Sequence, residues 1–431
     1  MSTFTLLILL VIGFAVLETP LFTVVAGLSM VCLFFIDFDP QAIQIVIIEM
    51  NRLASMPVLT ALPLFTFVGC LLTETGAPRR IMNFMQAIIG WMPGGLAIAG
   101  LLACDFFTAL TGASGVTVVA IGSVMYPILR QKDYDEQFTL GLIATSGSLG
   151  QLLPPSLPII LYGVVAQVEI TRIFKAALLP SLLLVVVMAV YAALHQSLRR
   201  DADRPSARDA RISWQQIQTT FLKGVWDWPI IVIIVIGVFG GFVTIAEVSA
   251  VVLVYVVVVE CFILKEVSFF RRVPHIIIES AVLSGAIIVI LAVALGFTGY
   301  LVDEQIPNKI LAYLNQLTEN RYVFLAGLNV FLLIVGCIMD VFSAIIIVVP
   351  IMVPIALKYG IDPIHLCIIF MVNLEIGFST PPVGINLFIT SLKFHKPLTL
   401  IYRSSIPYLL LLLGVLMVIT YVPAISLWMI Q

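Results

Sequence analysis

The stretch GSLGQLLPPSLPIILYG, residues 147–163, places two adjacent prolines inside a segment that is otherwise apolar and uncharged. Each proline removes a backbone N–H donor, and its ring clashes with the preceding turn of a helix. Lipid cannot pair the freed backbone groups, so a non-helical segment at membrane depth must be buried in protein or line a cavity. The stretch therefore predicts a membrane helix that is broken at Pro154 and Pro155.

The composition of the whole chain indicates a helical protein that crosses a membrane several times. Of the 431 residues, 61% are hydrophobic and 11% are charged, and the mean hydropathy is +1.14. Soluble domains carry about 25% charged residues. The apolar runs have helix length and lack the alternation of a β-barrel, so we predict an all-α polytopic membrane protein. The first run, 4–17, lacks a basic start and a cleavage site, and we interpret it as a retained span.

The charge, the cysteines and histidines, and the absence of certain motifs argue against several classes of function. The net charge of −2 argues against nucleic acid as a partner. The six cysteines lie singly and the four histidines are scattered, so we expect neither a disulfide framework nor a metal site built from these residues. The chain has no GxxxxGK[ST] phosphate loop and no catalytic Ser/His or aspartyl-pair motif. We therefore expect neither ATP binding by this chain nor an enzyme.

One polar segment, 199–223, separates two long apolar halves. It holds six of the 22 basic residues and is predicted to be a cytoplasmic linker by the positive-inside rule. The predicted spans on either side are 4–17, 21–36, 57–74, 137–166, 174–196, 229–246, 248–264, 275–302, 363–393 and 406–430. Two further apolar stretches, 94–129 and 322–357, are interrupted near their middle.

The two halves share landmarks at a nearly constant spacing. A shift of 227 residues places the double proline, and the glycine before it, on Gly377, Pro381 and Pro382 of the stretch NLEIGFSTPPVGINLFI. Other pairs follow the same or nearly the same shift: Tyr126-Pro127-Ile128 with Val353-Pro354-Ile355, Asp135 with Asp362, Pro78 with Pro307, and Glu18 with Glu247. We predict an internal duplication with a first repeat at 1–198 and a second at 224–431.

Counting spans from a cytoplasmic linker gives the two repeats opposite orientations. The loop 130–136 and Arg79–Arg80 lie inside, whereas their counterparts at 358–362 and Lys309 lie outside. Inverted repeats with discontinuous helices are typical of secondary transporters. Broken helices at 137–166 and 363–393 would meet near the midplane, where free carbonyls suit Na⁺ and half-helix N-termini suit a carboxylate.

The interrupted apolar stretches are predicted to be re-entrant hairpins. The first turns at TGASG, residues 111–115, and the second turns near GCIMDVFSA, residues 336–344. The alternative for the first is a full helix pair that packs closely at its small residues.

These motifs together resemble the large membrane subunit of tripartite ATP-independent periplasmic (TRAP) transporters, in the ion-transporter superfamily. The motifs are LPLF (62–65), GWMPGGLA (90–97), TGASGVTVVAIG (111–122), GSLGQLLPPSLPIILYG (147–163), GCIMD (336–340), GIDPIH (360–365) and NLEIGFSTPPVG (373–384). The resemblance implies Na⁺-driven import of an organic acid across the bacterial inner membrane by an elevator-type carrier. It also implies a small four-helix membrane partner and a periplasmic substrate-binding protein, and it leaves the acid open.

The resemblance also implies two Na⁺ sites, formed mostly by backbone carbonyls. The first lies between the first hairpin tip and the first break, at Thr111, Ser114, Gly150, Leu153 and Pro155. The second corresponds to Gly336, Gly377, Thr380 and Val383. Family members often have more serine at the first tip than this chain, which has Ala113 and Gly115, so a side-chain contact to substrate is not expected at Ala113.

Polar and charged residues near the breaks supply the candidates for substrate binding. Carboxylates at membrane depth are functional by default, and Asp105, Asp340 and Glu375 are the deepest. The alternative for all three is a carboxylate satisfied by helix N-termini or hydroxyls. The substrate-binding candidates are Ser148, Ser156, Asp340, Ser379 and Asn386. A more distant arginine, Arg52 or Arg172, could meet an anionic substrate, and Glu18 and Glu247 are expected to be structural.

The alternatives are two other classes of transport protein. The nearest alternative is a stand-alone Na⁺-coupled carboxylate carrier of the same superfamily, which would need no binding protein. A passive channel is disfavoured because it would not need paired, repeat-related sites.

Overall fold

The computed structural model describes residues 27, 30–31, 44–198, 214–240, 243–303, 305 and 319–430, and all regular secondary structure within these ranges is helical. The predicted all-α class is thereby confirmed. The helices of the first half are α1 Gln44–Ala54, α2 Ala61–Thr73, α3 Ala77–Ile89, α4 Gly95–Thr111, α5 Ser114–Gln131, α6 Glu136–Leu149, α7 Leu157–Ala166 and α8 Ile170–Leu198. Short 3₁₀ turns, Pro57–Thr60 and Gly150–Leu152, precede α2 and follow α6.

The second half continues with ten further helices. They are α9 Trp214–Lys223, α10 Trp228–Gly240, α11 Ile245–Val257, α12 Val273–Asp303, α13 Arg321–Ile338, α14 Val341–Lys358, α15 Pro363–Gly377, α16 Ile385–Phe394, α17 Leu398–Tyr421 and α18 Ala424–Leu427, with a π-helical turn, Val258–Ile263, after α11. In the described ranges, 6 helices are long and apolar enough to cross a membrane, or up to 8 if each bent pair is one span.

Some sequence predictions lie outside the described residues or have the wrong boundaries. The span 4–17, all but three residues of the span 21–36, most of the linker, Glu18 and Lys309 lie outside. The predicted span 406–430 is wrong at both ends, because the helix begins at Leu398, directly after Pro397, and ends at Tyr421. Hydropathy marks the apolar middle of a helix and misses its more polar first turns. Glu247 has the predicted structural role, since it completes a capping box with Thr244 at the start of α11.

Helix boundaries in the two halves follow the shift that the sequence motifs share. Helices α5 and α14 begin at Ser114 and Val341 and end at Gln131 and Lys358, which are pairs 227 residues apart. The helices that lead to the two breaks begin after matching N-caps. The side chain of Asp135 accepts from the backbone N–H of Phe138, and that of Asp362 accepts from Ile364. These matches support the duplication, whereas the opposite orientation of its copies stays a prediction.

The helices pack in two groups that touch along α2 and α12. In one group, α1 and α2 pack against α12, and α11 packs against both α2 and α10. In the other, α4 to α8 and α13 to α17 surround both breaks, with α6 packed along α17 and α13 packed along α15. The legs of the second hairpin, α13 and α14, mainly contact other helices rather than each other. The first group is called the outer group below, and the second is called the break group.

Helix α3 connects the two groups and is held by ion pairs at its start. The chain bends by 76° between α2 and α3. Arg80 on α3 donates to three carboxylates, with nitrogen–oxygen distances of 2.8 Å to Asp227, 2.7 Å to Glu260 and 2.7 Å to Glu266. All three partners belong to the segment 227–266, so the start of α3 is tied to the outer group. At its other end, the carbonyl oxygen of Ile89 lies beside Gly95, the first residue of α4 and of the break group.

Candidate functional site

The first double proline interrupts a helix as the sequence predicts. Helix α6 ends in the 3₁₀ turn Gly150–Leu152, residues 153–156 are not helical, and α7 continues at an angle of 46°. Ser156 is the N-cap of α7, and its hydroxyl oxygen accepts from the backbone N–H of Ile159 at 3.4 Å. The carbonyl of Gly150 accepts one bond, from the N–H of Leu153 at 3.1 Å. A carbonyl has two lone pairs, so one remains available for a cation.

The first hairpin tip is a tight turn that packs against the first break. Gly112 has a φ of +67°, which only glycine adopts without strain, and its N–H bonds the carbonyl of Thr108 at 2.7 Å. The hydroxyl of Thr108 contacts that of Thr117 at 2.7 Å and the carbonyl of Gly147 at 2.8 Å. One side chain thus joins both legs of the hairpin to α6.

The residues predicted for the first Na⁺ site lie on this tip and on this break, and the two segments pack against each other. A Cβ atom at Gly112 would lie 2.8 Å from the side chain of Leu157, just past the break, and one at Gly147 would lie 3.2 Å from the carbonyl oxygen of Ser114. The hydroxyl of Thr111 is buried and has no hydrogen-bond partner among the described residues. Leu153 and Pro155 lie in the non-helical segment itself. The arrangement offers several oxygens within one small region.

The second break repeats this arrangement with different residues. Helix α15 ends at Gly377, and α16 begins at Ile385 after Gly384, whose φ is +51°. The N–H of Gly384 donates to the carbonyl of Cys337 at 3.2 Å, and the thiol of Cys337 donates to the carbonyl of Thr380 at 3.2 Å. Both bonds join the break to the second hairpin tip.

Residues predicted for the second Na⁺ site also meet, through contacts between backbones. A Cβ atom at Gly377 would lie 2.5 Å from the carbonyl carbon of Gly336 and would clash with it. The hydroxyl of Thr380 donates to the carbonyl of Ile376 at 2.7 Å, which leaves its lone pairs available. Val383 precedes Gly384 and is exposed.

Comparison with known proteins identifies the family. The family model described as "Tripartite ATP-independent periplasmic transporter, DctM component" matches residues 4–425. The chain belongs to this family of TRAP transporter subunits. It is 35% identical over 390 residues to the C4-dicarboxylate TRAP transporter large permease protein DctM of Pseudomonas aeruginosa, covering 90% of each chain.

Two further likenesses agree with this assignment. The chain is 34% identical over 385 residues to the isethionate TRAP transporter permease protein DctMQ of Oleidesulfovibrio alaskensis, covering 88% of this chain and 59% of that protein. The crystal structure of the Alcanivorax borkumensis YdaH transporter has the same fold, with a TM-score of 0.62 and 14% identity over 87% of this chain and 86% of that one. Both sequence relatives are named as permeases, so this TRAP subunit is a transport protein and not an enzyme.

The substrate-binding candidates of this TRAP subunit fall into two kinds. Ser148 and Ser379 are buried and bond across the halves, to the carbonyls of Glu375 at 3.3 Å and of Ala144 at 3.1 Å. Their hydroxyls hold the two broken helices together. Asn386, directly after the second break, is fully buried, and both polar atoms of its amide lack partners among the described residues. Asn386 is therefore the strongest candidate for contact with a ligand.

Asp340 lies at the second hairpin tip, where it has a clear structural role. One carboxylate oxygen accepts from the N–H groups of Phe342 and Ser343 at 2.9 and 3.0 Å, and the other accepts from the Ser343 hydroxyl at 2.5 Å. Asp340 therefore caps the N-terminus of α14. This is the structural alternative to ligand binding, a carboxylate satisfied by a helix N-terminus and a hydroxyl. The side chain is exposed and remains accessible to a ligand at this tip.

Sequence reasoning missed one side chain at the second break. The Tyr402 hydroxyl, on α17, donates to the carbonyl oxygen of Pro382 at 2.5 Å. No motif in the sequence marks this tyrosine, because the contact depends on how α17 packs. The two arginines proposed for an anionic substrate lie on helices that carry neither a break nor a tip, Arg52 on α1 and Arg172 on α8.

Proposed function

We propose that this TRAP subunit carries an organic acid across the bacterial inner membrane, driven by an inward Na⁺ gradient. The observation that carries the proposal is the packing of each hairpin tip on a broken helix, through Gly112 in one half and Gly336 in the other. Free carbonyls at such breaks are the usual ligands of Na⁺ in secondary transporters. Because the two breaks are built in the same way, we expect each to bind one Na⁺ ion with similar ligands.

The chemistry of the ligands favours a hard monovalent cation such as Na⁺ over a divalent or transition-metal ion. The described residues contain no group of three or more His, Cys, Asp or Glu side chains placed to hold a metal ion. Neutral oxygens dominate near both breaks, including the unpartnered hydroxyl of Thr111. Hard cations prefer oxygen ligands, and a site with little negative charge suits a monovalent ion better than Ca²⁺.

The substrate class is inferred from the substrates in the relatives' names and from the partial positive charge of the helix N-termini at the breaks. One relative is named for C4-dicarboxylates and another for isethionate, which are all organic anions. Helices α7 and α16 begin at the two breaks, and helix N-termini carry partial positive charge that stabilises an anion. The amide of Asn386 in the first turn of α16 could donate to a carboxylate or sulfonate.

The two helix groups supply the parts that an elevator needs. The break group would move as one body with ions and substrate, against the outer group as scaffold. Helix α3 would be the arm between them, and its predicted counterpart at 303–320 lies mostly outside the described residues. The family's description as tripartite and periplasmic supports a small four-helix membrane subunit and a periplasmic binding protein as partners.

The test is uptake in proteoliposomes that contain both membrane subunits, with the binding protein and its acid outside. A thermal-shift screen of the cognate binding protein against organic acids identifies the acid. Uptake should require an inward Na⁺ gradient and the binding protein. Full uptake driven by a proton gradient in Na⁺-free buffer would contradict Na⁺ coupling. Uptake that persists without the binding protein would favour the stand-alone carrier.

A further inference from the structure

Two buried carboxylates in the break group have no counter-charge. Asp105 on α4 is 5% exposed, and Glu375 on α15 is 2% exposed. Among the described residues, one oxygen of Asp105 and both oxygens of Glu375 are buried without a hydrogen-bond partner. The ion pairs found in the described ranges involve neither residue. An uncompensated charge in a low-dielectric interior is strongly unfavourable, so a protein that retains two must neutralise them by some means.

One of these carboxylates belongs to each break. Asp105 packs against the first break so closely that a Cβ at Gly150 would lie 1.9 Å from its backbone oxygen. Glu375 lies two residues before Gly377, where the second break begins. The backbone of Glu375 also contacts the first broken helix, because its carbonyl accepts from the Ser148 hydroxyl at 3.3 Å. The backbones of both residues therefore lie beside the segments proposed to bind Na⁺.

The Na⁺ sites and the acids have complementary charges. Each proposed site consists mainly of neutral oxygens, so each bound ion would bring one uncompensated positive charge into the interior. The two acids bring one negative charge each. With both ions bound, this part of the interior is neutral, and without them nothing among the described residues compensates the two acids.

We propose that Asp105 and Glu375 are the buried counter-charges of the two Na⁺ ions. This inference rests on the proposed Na⁺ coupling and adds two residues that set ion affinity without themselves needing to be ligands. Two opposite unit charges at any separation up to about 10 Å, at an effective dielectric constant of about 20, attract strongly enough to change an affinity by about tenfold or more. Removing either acid should therefore weaken Na⁺ binding while leaving the oxygens at both breaks in place.

The experiment uses Asp105→Asn and Glu375→Gln, which keep shape and remove charge. Glu279→Gln on α12 is the control, because the Glu279 side chain is 55% exposed and its charge is not buried. The complex of both membrane subunits is purified, and thermal unfolding is followed in NaCl and in choline chloride at equal ionic strength. The Na⁺ concentration for half-maximal uptake is measured in proteoliposomes.

Each variant should unfold at a higher temperature than the wild type without Na⁺, because an uncompensated charge is gone. Added Na⁺ should raise the unfolding temperature of each variant less than it raises that of the wild type. The half-maximal Na⁺ concentration should rise about tenfold or more, and the control should match the wild type. A purely structural role would instead lower the unfolding temperature in both salts and leave the half-maximal Na⁺ concentration unchanged.

Variants with the wild-type Na⁺ concentration for half-maximal uptake overturn the inference, even if their stability has changed. A variant that fails to fold also contradicts it, since the inference requires the Na⁺-free protein to gain stability. A wild type that neither needs Na⁺ for uptake nor is stabilised by it defeats the proposed Na⁺ coupling itself. The two failures are therefore distinguishable.

Discussion

Ser148 donates a hydrogen bond to the backbone carbonyl of Glu375, the residue 227 positions away that occupies the equivalent place in the other half. If the two halves are copies of one repeat, as the sequence predicts, a residue touches its own counterpart only close to the axis that relates them. The two broken helices are therefore in contact just before their breaks. That contact brings both proposed ion sites and both buried acids into one region of the break group.

Removing the Ser148 hydroxyl should weaken the junction between the halves. We expect Ser148→Ala to lower the free energy of unfolding by about 1 kcal/mol, the usual net value of one hydrogen bond. Ser197→Ala is the matched control, because its exposed hydroxyl also bonds a carbonyl, that of Leu194 at 2.9 Å. Chemical unfolding in detergent measures both, and equal effects in the two variants would contradict a special role for Ser148.

A glycine on α2 allows the first hairpin tip to approach the outer group. A Cβ at Gly69 would lie 2.8 Å from the Cα of Thr111, so Gly69→Ala forces two backbones apart. We expect this variant to lose most uptake activity, because the tip belongs to the first proposed ion site. Gly285→Ala on α12 is the control, since nothing lies within 4 Å of its Cβ position. Initial uptake rates measure the effect, and wild-type transport by Gly69→Ala would rule out a tight contact.

How far the sequence predicts this site can be judged from particular residues. The double prolines, the glycines before them and the matching aspartate caps are local signals, since each acts on its own turn of backbone. The breaks and tips were therefore predictable to within a few residues. The contacts of Tyr402 with Pro382 and of Ser379 with Ala144 join distant segments, and they depend on helix packing that no local pattern encodes.

Thr380 tests whether a side chain contributes to the second ion site. Its hydroxyl proton is engaged by Ile376, but its lone pairs are available. We expect Thr380→Val to raise the Na⁺ concentration for half-maximal uptake several-fold, and Thr380→Ser to restore it. Thr66→Val on α2 is the control, because the Thr66 hydroxyl makes the same kind of bond, to Leu62 at 2.7 Å. Unchanged Na⁺ dependence in Thr380→Val would mean that only its carbonyl serves the site.

The ion pairs of Arg80 should contribute far more stability than a similar cluster at the surface. The Arg80 side chain is 13% exposed and meets Glu260 at 1% exposure, whereas Arg272 and Glu74 are 50% and 36% exposed. Leaving buried carboxylates without their partner costs about 3–5 kcal/mol. An exposed pair contributes about 1 kcal/mol or less. We therefore expect Arg80→Met to unfold at a much lower temperature than Arg272→Met, and similar unfolding temperatures would contradict the role of Arg80 as an anchor.

The elevator predicts that the first hairpin tip slides along the outer group. Helix α2 lies beside this tip and spans Ala61–Thr73, a rise of about 18 Å at 1.5 Å per residue. A cysteine at Ala113, in a background without the native cysteines, should crosslink near Gly69 in one condition. It should crosslink at least one turn away along α2 when Na⁺ and substrate are changed. Cys337→Ser suits that background because it keeps a donor for the Thr380 carbonyl.

The crosslinks distinguish the elevator from a rocking carrier. In a rocking mechanism the binding site stays near the midplane while the two halves tilt around it, so the tip keeps one depth. In an elevator the break group carries tip, breaks and ions together, and every tip position shifts along α2 by the same distance. Crosslinking efficiency should therefore move from one α2 position to another as Na⁺ and substrate are added. Crosslinks confined to one α2 position in every condition would favour rocking.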